Sequence, residues 1–202
     1  AHPASGTSST ATNATTPERE ARGHDRMPLR HLAATDVAAY RELMLEAYMQ
    51  AADAFTTTAE ERAREPESWW RRRIADPGGL SAAFGAWDAD RLEGSVALEY
   101  SDKPKTRHAG LVLGMYVRPA ARGRGLARDL LHAAIGHAAQ RPGLRLLTLT
   151  VTEGNDAAIR LYERAGFRAW GTEPMAIATP AGYKGKVHMW RPLTDGGTAA
   201  AR

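Results

Sequence analysis

The sequence predicts an α+β fold: a mixed sheet of about seven strands flanked by about four helices. Two features of its patterning carry that prediction. Apolar runs of strand length recur at Leu80–Trp87, Leu92–Tyr100, Leu111–Val117 and Leu144–Val151. Between them the apolar spacing becomes helical, as in Val37, Tyr40, Leu43, Met44, Ala47 and Tyr48, or in Leu126, Leu130, Leu131, Ala134 and Ile135.

Taken in order, a short strand over residues 28–32 precedes Thr35-Asp36, a cap for the first helix. Asp53 to Thr58 reads as a loop, and an acidic-to-basic helical stretch follows. Pro66 breaks it and suits the first turn of a helix carrying Trp69, Trp70 and Ile74. Pro77-Gly78-Gly79 ends that helix. Two strands joined at Asp88-Ala89-Asp90-Arg91 then form an antiparallel hairpin, with Leu92, Val96, Leu98 and Tyr100 on one face and Ser95, Ala97 and Glu99 on the other. The strand Leu111–Val117 stops at Pro119 and leads into an amphipathic helix from Leu126. Leu144–Val151 is almost entirely apolar or Thr, as in a strand covered on both faces. Asn155 caps a helix that Gly166 stops. A strand begins at residues 167–171, residues 179–183 turn the chain, and a last strand lies around 187–191.

The 202 residues are read as one domain, 27–193, between a disordered or leader segment, 1–26, and a flexible C-terminal tail, 194–202. A hydrophobic content of 43% suffices for a core, and no stretch approaches a membrane span. With no cysteine, disulfides, thiolate metal sites and a cysteine nucleophile are excluded, and a cytoplasmic location is expected. Of the 27 basic residues only four are lysines, and no Lys/Arg run is interleaved with aromatics, which argues against nucleic acid as the partner. No His/Asp/Glu set has metal-ligand spacing.

Charge is concentrated where the strand ending at Val117 turns into a helix. From Arg118 to Arg145 there are six arginines against one acid, Asp129. A helix N-terminus offers unpaired N–H groups and a positive dipole end, and Gly123, Gly125 and Ala127 let an anion approach them. Arg122, Arg124 and Arg128 add forked donors. A polyanion is expected here. The turn lacks the Gly-x-Gly-x-x-Gly of dinucleotide sites and the Gly-Lys-Ser/Thr of a P-loop.

What it does carry is Arg-x-x-Gly-x-Ala, at Arg122, Gly125 and Ala127, which resembles the acyl-CoA pyrophosphate loop of the GNAT superfamily of N-acyltransferases. The segment from Asn155 through Ala158 and Leu161-Tyr162 to Gly166-Phe167 resembles that family's second hallmark. The resemblance implies a single three-layer domain around a splayed, mostly antiparallel sheet, and transfer of an acetyl group from acetyl-CoA to an amine within a ternary complex, without a metal. It implies that Met115, Tyr116 and Val117 line the pantetheine arm, with a bulge at Gly114 opening the slot and a main-chain N–H near Met115 facing the developing oxyanion. The pyrophosphate would rest on residues 122–128, including Leu126, with Asn155 and Ala158 as further cofactor contacts. Tyr162 is implied as the acid at the leaving sulfur and Glu99 as the base. His108, Tyr116 and His188 are weaker base candidates, and His132 and His137 are expected on an exposed face of the cofactor helix. Phe55, Trp69, Trp70, Glu99 and the segment 172–188 would line the acceptor cleft, although tryptophan packing alone explains at least one of the pair. The acceptor is open between a small molecule, an amino acid and a peptide. Dimers are frequent in that superfamily, so a homodimer is admitted. The competing reading is a non-catalytic acyl-CoA sensor or interaction module of the same fold.

Overall fold

A computed structural model describes residues 27–193, so the readings of residues 1–26 and 194–202 lie outside the described residues. Seven strands form one sheet: β1 (Leu29–His31), β2 (Ser81–Asp88), β3 (Arg91–Tyr100), β4 (Ala109–Val117), β5 (Leu146–Thr152), β6 (Arg168–Thr179) and β7 (Gly182–Pro192). The spatial order is β1-β2-β3-β4-β5-β7-β6, and every neighbouring pair is antiparallel except β4–β5. The α-helices are α1 (Val37–Gln50), the short α2 (Ala59–Ala63), α3 (Glu67–Ile74), α4 (Leu126–Ala139) and α5 (Asp156–Arg164). The α+β class and strand count agree with the sequence reading. Among the described residues there are five α-helices rather than about four, because the stretch before Pro66 folds as α2. Thr58 caps it, reciprocating hydrogen bonds with Glu61.

Two apolar clusters separate the layers. Leu130, Leu131 and Ala134 of α4 and Tyr162 of α5 join Val96, Leu98, Leu147 and Leu149 on one face of the sheet. Tyr40, Leu43 and Met44 of α1 and Trp70 and Ile74 of α3 join Ala83, Ala97 and Tyr116 on the other. The expected alternation along β3 holds for Val96, Leu98 and Tyr100 against Ala97, but Leu92 is a correction: it packs in the opposite cluster, because the register shifts between Ala86 and Trp87, and both faces are covered for most of the strand's length. The β6–β7 hairpin is longer than its sequence suggests. Most of β6 is exposed, so pairing with β7 rather than an apolar alternation holds it.

The parallel contact of β4 with β5 lasts three residues, Ala109–Leu111 against Leu146–Thr148. Beyond it the strands separate. On the other side of β4, Ser95 pairs with Tyr116 and Ala97 with Leu113, so Gly114 and Met115 together face Val96 as a bulge. Gly114 has φ 62°, which a residue with a Cβ adopts only under strain. The bulge is also packed: a Cβ there would lie 3.4 Å from the hydroxyl of buried Tyr40, and the Ser95 hydroxyl donates to the Gly114 carbonyl at 3.3 Å.

Gly114→Ala is expected to lower unfolding stability by about 1–2 kcal/mol, the cost of a left-handed non-glycine residue. Chemical denaturation checks it; an unchanged midpoint with unchanged slope would show that the strand relaxes out of the bulge freely.

Candidate active site

The opening between β4 and β5 continues into a cleft of about 800 Å³. Its floor is Met115, Tyr116 and Val117 at the end of β4. One end is closed by the turn and first residues of α4, including Arg122, Gly123, Gly125, Leu126, Ala127 and Arg128. A second wall comes from α5, through Asn155, Ala157, Ala158, Leu161, Arg164 and Ala165.

Local backbone chemistry makes the α4 end anion-binding. Gly123 and Gly125 take φ of 77° and 80°, and Gly125 is the N-cap of α4, so no side chain caps this helix. The first amides of α4 stay available at the positive end of the helix dipole. Arg122 is braced there, its Nε donating to the Val117 carbonyl at 2.9 Å and its guanidinium lying over the Tyr116 ring, 5.7 Å from the centroid. Asn155 does two things: its Oδ1 accepts from the Ala158 amide at 3.3 Å, capping α5, and it lines the cleft.

A strap crosses the cleft from the end of α1. Ala51, Ala54 and Phe55 contribute to its lining, and the Phe55 ring packs on Tyr48 with centroids 4.5 Å apart. The strap is clasped to the far side of the sheet. Thr152 Oγ1 donates to the Asp53 carbonyl at 2.7 Å, Lys184 Nζ donates to Asp53 Oδ2 at 2.6 Å, and Lys186 Nζ reaches the Ala54 carbonyl at 3.4 Å. Lys186 is buried, which pulls its amine below the ordinary lysine range, against the opposing pull of Glu173.

Residues 40–167 match the acetyltransferase (GNAT) family. The chain belongs to that family. It is 38% identical over 138 residues to a mycothiol acetyltransferase of Geodermatophilus obscurus; the match takes in 66% of this chain and 41% of that relative. A mycothiol acetyltransferase of Salinispora arenicola matches at 35% identity over 56% of this chain and 35% of its own length. The chain thus spans about two fifths or less of the length of these curated relatives. Among solved structures, a GCN5-related N-acetyltransferase from Kribbella flavida is 30% identical, with a TM-score of 0.71 and coverage of 85% of this chain and all of that one. A putative acetyltransferase from Salmonella typhimurium, solved with its cofactor acetyl-CoA, shares the fold at 22% identity and a TM-score of 0.70, over 88% of this chain and 100% of its own.

Within this GNAT domain, Met115, Tyr116, Val117, Arg122, Gly123, Gly125, Leu126, Ala127, Arg128, Asn155 and Ala158 all line one cleft. Arg124 is not part of its lining, and nor is Tyr162, although Ala158, Leu161 and Ala165 around it on α5 are. Tyr162 is 7% exposed, packs edge-on against Phe167 at 5.9 Å, and shares an apolar cluster with Met115. Burial alone pushes its phenol up to about 12. A phenol that weak would lose its proton to a thiolate near 8.5 only uphill, by about 5 kcal/mol.

Glu99 stands elsewhere than its assigned role suggests. It pairs with Leu111, where β4 and β5 are still joined, and its carboxylate accepts from Arg73 of α3 at 3.1 Å with half its side chain exposed. Leu111 lies three positions before Gly114 at the bulge, on the order of 10 Å along the strand. His188 faces the same side of the sheet, opposite Thr150, with its Nε2 3.2 Å from Glu173 Oε2 and its ring 5.2 Å from Trp170.

The two adjacent tryptophans part company. Trp69 is partly buried, its ring between the guanidiniums of Arg62 at 4.5 Å and Arg73 at 4.9 Å. Trp70 is 1% exposed, packed edge-on to Tyr40 at 6.1 Å, and its assignment to the acceptor cleft is corrected: it belongs to the core. His132 is exposed, as expected, and it also lines the cleft. Its spacing from Arg128 and Leu131, i+4 and i+1, puts it one turn along from the phosphate loop, a signal the sequence did contain. Among the described residues no group of three or more His, Asp or Glu is placed to hold a metal ion, and no helix is long and apolar enough to cross a membrane.

The Tyr162 phenol gives a pH test. Its folded value, about 12, exceeds the ordinary value of 10, so between these pH values the folded state keeps a proton that the unfolded chain loses. Its contribution is complete below pH 10 and falls as pH rises toward 12. Wild type is expected to lose about 3 kcal/mol more than Tyr162→Phe across that window, read by urea denaturation at each pH. Parallel curves for the two proteins would contradict this.

Proposed function

We propose that the chain transfers the acetyl group of acetyl-CoA to a primary amine by direct attack in a ternary complex. One observation carries the reading: the parting of β4 from β5 opens at the Gly114–Met115 bulge, and the same cleft runs on to the uncapped N-terminus of α4. The exposed amides and Arg122 and Arg128 would hold the pyrophosphate, and the free edge of β4 would pair with the pantetheine arm as with an added strand. The thioester then lies at the bulge, where a main-chain N–H released from the ladder faces the oxygen that gains charge.

The amine nitrogen forms a bond to the carbonyl carbon, the C–S bond breaks, and the sulfur leaves as thiolate beside Tyr162. An alkyl amine near 10 is about three units from neutral at pH 7, roughly 4 kcal/mol, so the ammonium must give up a proton before attack. Glu99 is proposed to take it through water. Phe55 and Trp69 are proposed acceptor contacts, because both pack, like Leu113 of β4, at the partly buried edge of one apolar cluster. The relatives' name points to a small-molecule amine, and the clasped strap, which narrows the approach, supports a small acceptor over a protein surface.

The test is thiol release from acetyl-CoA across a panel of amines, amino acids and peptides. Acceptor-dependent release is expected, with kcat lowered about a hundredfold by Tyr162→Phe and about tenfold by Glu99→Gln, at little change in KM for acetyl-CoA. Tight CoA binding without turnover on the whole panel would replace the enzyme by a sensor of the same fold, and absence of CoA binding would overturn both.

A further inference from the structure

The end of β4 is held by a polar network that the proposed chemistry leaves unused. Arg118 directly precedes the Pro119 that opens the phosphate loop, and its sequence position made it one of six arginines awaiting a polyanion. The structure turns it the other way. Its side chain is 5% exposed, and its guanidinium is engaged on every edge. Nε donates to the Leu92 carbonyl of β3 at 3.1 Å, Nη2 to Glu42 Oε1 at 2.9 Å, and Nη1 to Glu46 Oε2. The other oxygen of Glu46 accepts from the Tyr116 hydroxyl at 3.2 Å. Glu42 and Glu46 stand one turn apart on α1, so a single helix face grips both residues flanking Val117.

The place of this grip is informative. At Val117 the strand has already lost β5 as a neighbour, and only β3 remains beside it, through the Arg118 amide donating to the Glu93 carbonyl at 2.9 Å. A strand end with one free edge is free to shift sideways. Here the free edge is the one the cofactor needs, so support must come from the face instead. A buried guanidinium left without a carboxylate is strongly unfavourable, which makes the contact hard to release. Tyr116 in turn passes the constraint on, since its ring lies under Arg122 and both residues line the cleft.

We infer that Glu46 is a positioning residue for the cofactor site: through Arg118 and Tyr116 it fixes the end of β4, and with it the placement of the phosphate loop relative to the slot at Gly114. The inference rests on the reading of this cleft as the CoA site. Glu46 touches no cofactor; it acts on cofactor affinity through the residues that do. Glu42, with 70% of its side chain exposed, is the lesser partner.

The experiment is CoA binding by titration calorimetry for wild type, Glu46→Gln, Tyr116→Phe and the double variant, each with its thermal midpoint. Both single changes are expected to weaken CoA about tenfold, and the double change to weaken it no further than the worse single one, because both break one contact. Once an acceptor is in hand, KM for acetyl-CoA should rise by the same factor with kcat within about threefold. A purely structural role would lower the midpoint and leave affinity within about twofold of wild type, and that result overturns the inference. Multiplying effects in the double variant overturn it too. Should Glu46→Gln not fold, Tyr116→Phe, which deletes one oxygen, decides alone. Failure of wild type to bind CoA would instead be failure of the proposed function.

Discussion

The separation of β4 from β5 is the constraint on which the remaining structure depends. Two parallel strands left in contact would offer no free edge and no gap. Here the contact ends after three residues, and the Gly114 bulge adds twist to β4 as it departs. Backbone groups in that gap have no strand partner, and a buried amide without a partner is unfavourable. The gap is therefore both the site and the weak point of the sheet. What surrounds it compensates: the strap is clasped to β5 and β7 across it, and α1 grips the end of β4 from the face.

The α4 end of the cleft and the proposed acceptor side are organised by different physics. At the α4 end the ligand-facing groups are main-chain amides with two arginines, Arg122 braced on Val117 and Tyr116 and Arg128 paired with Asp129, an arrangement suited to diffuse negative charge. On the proposed acceptor side, outside the lining of that cleft, Trp69 lies against two guanidiniums, and each of those cations also has an acid partner, Glu65 for Arg62 and Glu99 for Arg73. Charges paired in this way carry less attraction for a distant ligand and more geometric definition for a near one.

Local features of this site were legible in the sequence, and long-range ones were not. The glycine-rich turn, the capping Asn155 and the bulge at Gly114 depend on a few consecutive residues whose conformational needs are visible in their types. Arg118 shows the opposite case. Its composition context is an arginine cluster, but its partners Glu42 and Glu46 lie more than seventy positions earlier and meet it only once the sheet is formed. The same holds for Lys184 and Asp53, 131 positions apart. Trp69 and Trp70 could not be separated by type; the turn of roughly 100° between neighbours in a helix sends one to the core and leaves the other partly buried at its edge. The β6–β7 hairpin was read too short because an exposed edge needs no apolar alternation to persist.

Burial also shapes how the chemistry is divided. Tyr162, in the apolar layer between α5 and the sheet, is a poorer proton donor than a free phenol, and the candidate base lies a water's length or more from the slot. Neither group proposed to handle a proton lines the cleft. What is fixed without any ligand is the main-chain geometry: the bulge amide, the uncapped helix start and the edge of β4. Such dipoles need no reorganisation when charge develops, and they act most strongly where water is excluded. On this ground the contribution already in place before any ligand binds is placement and electrostatic preorganisation of the main chain, and the proton transfers proposed for Glu99 and Tyr162 depend on how the bound substrates and water complete the site.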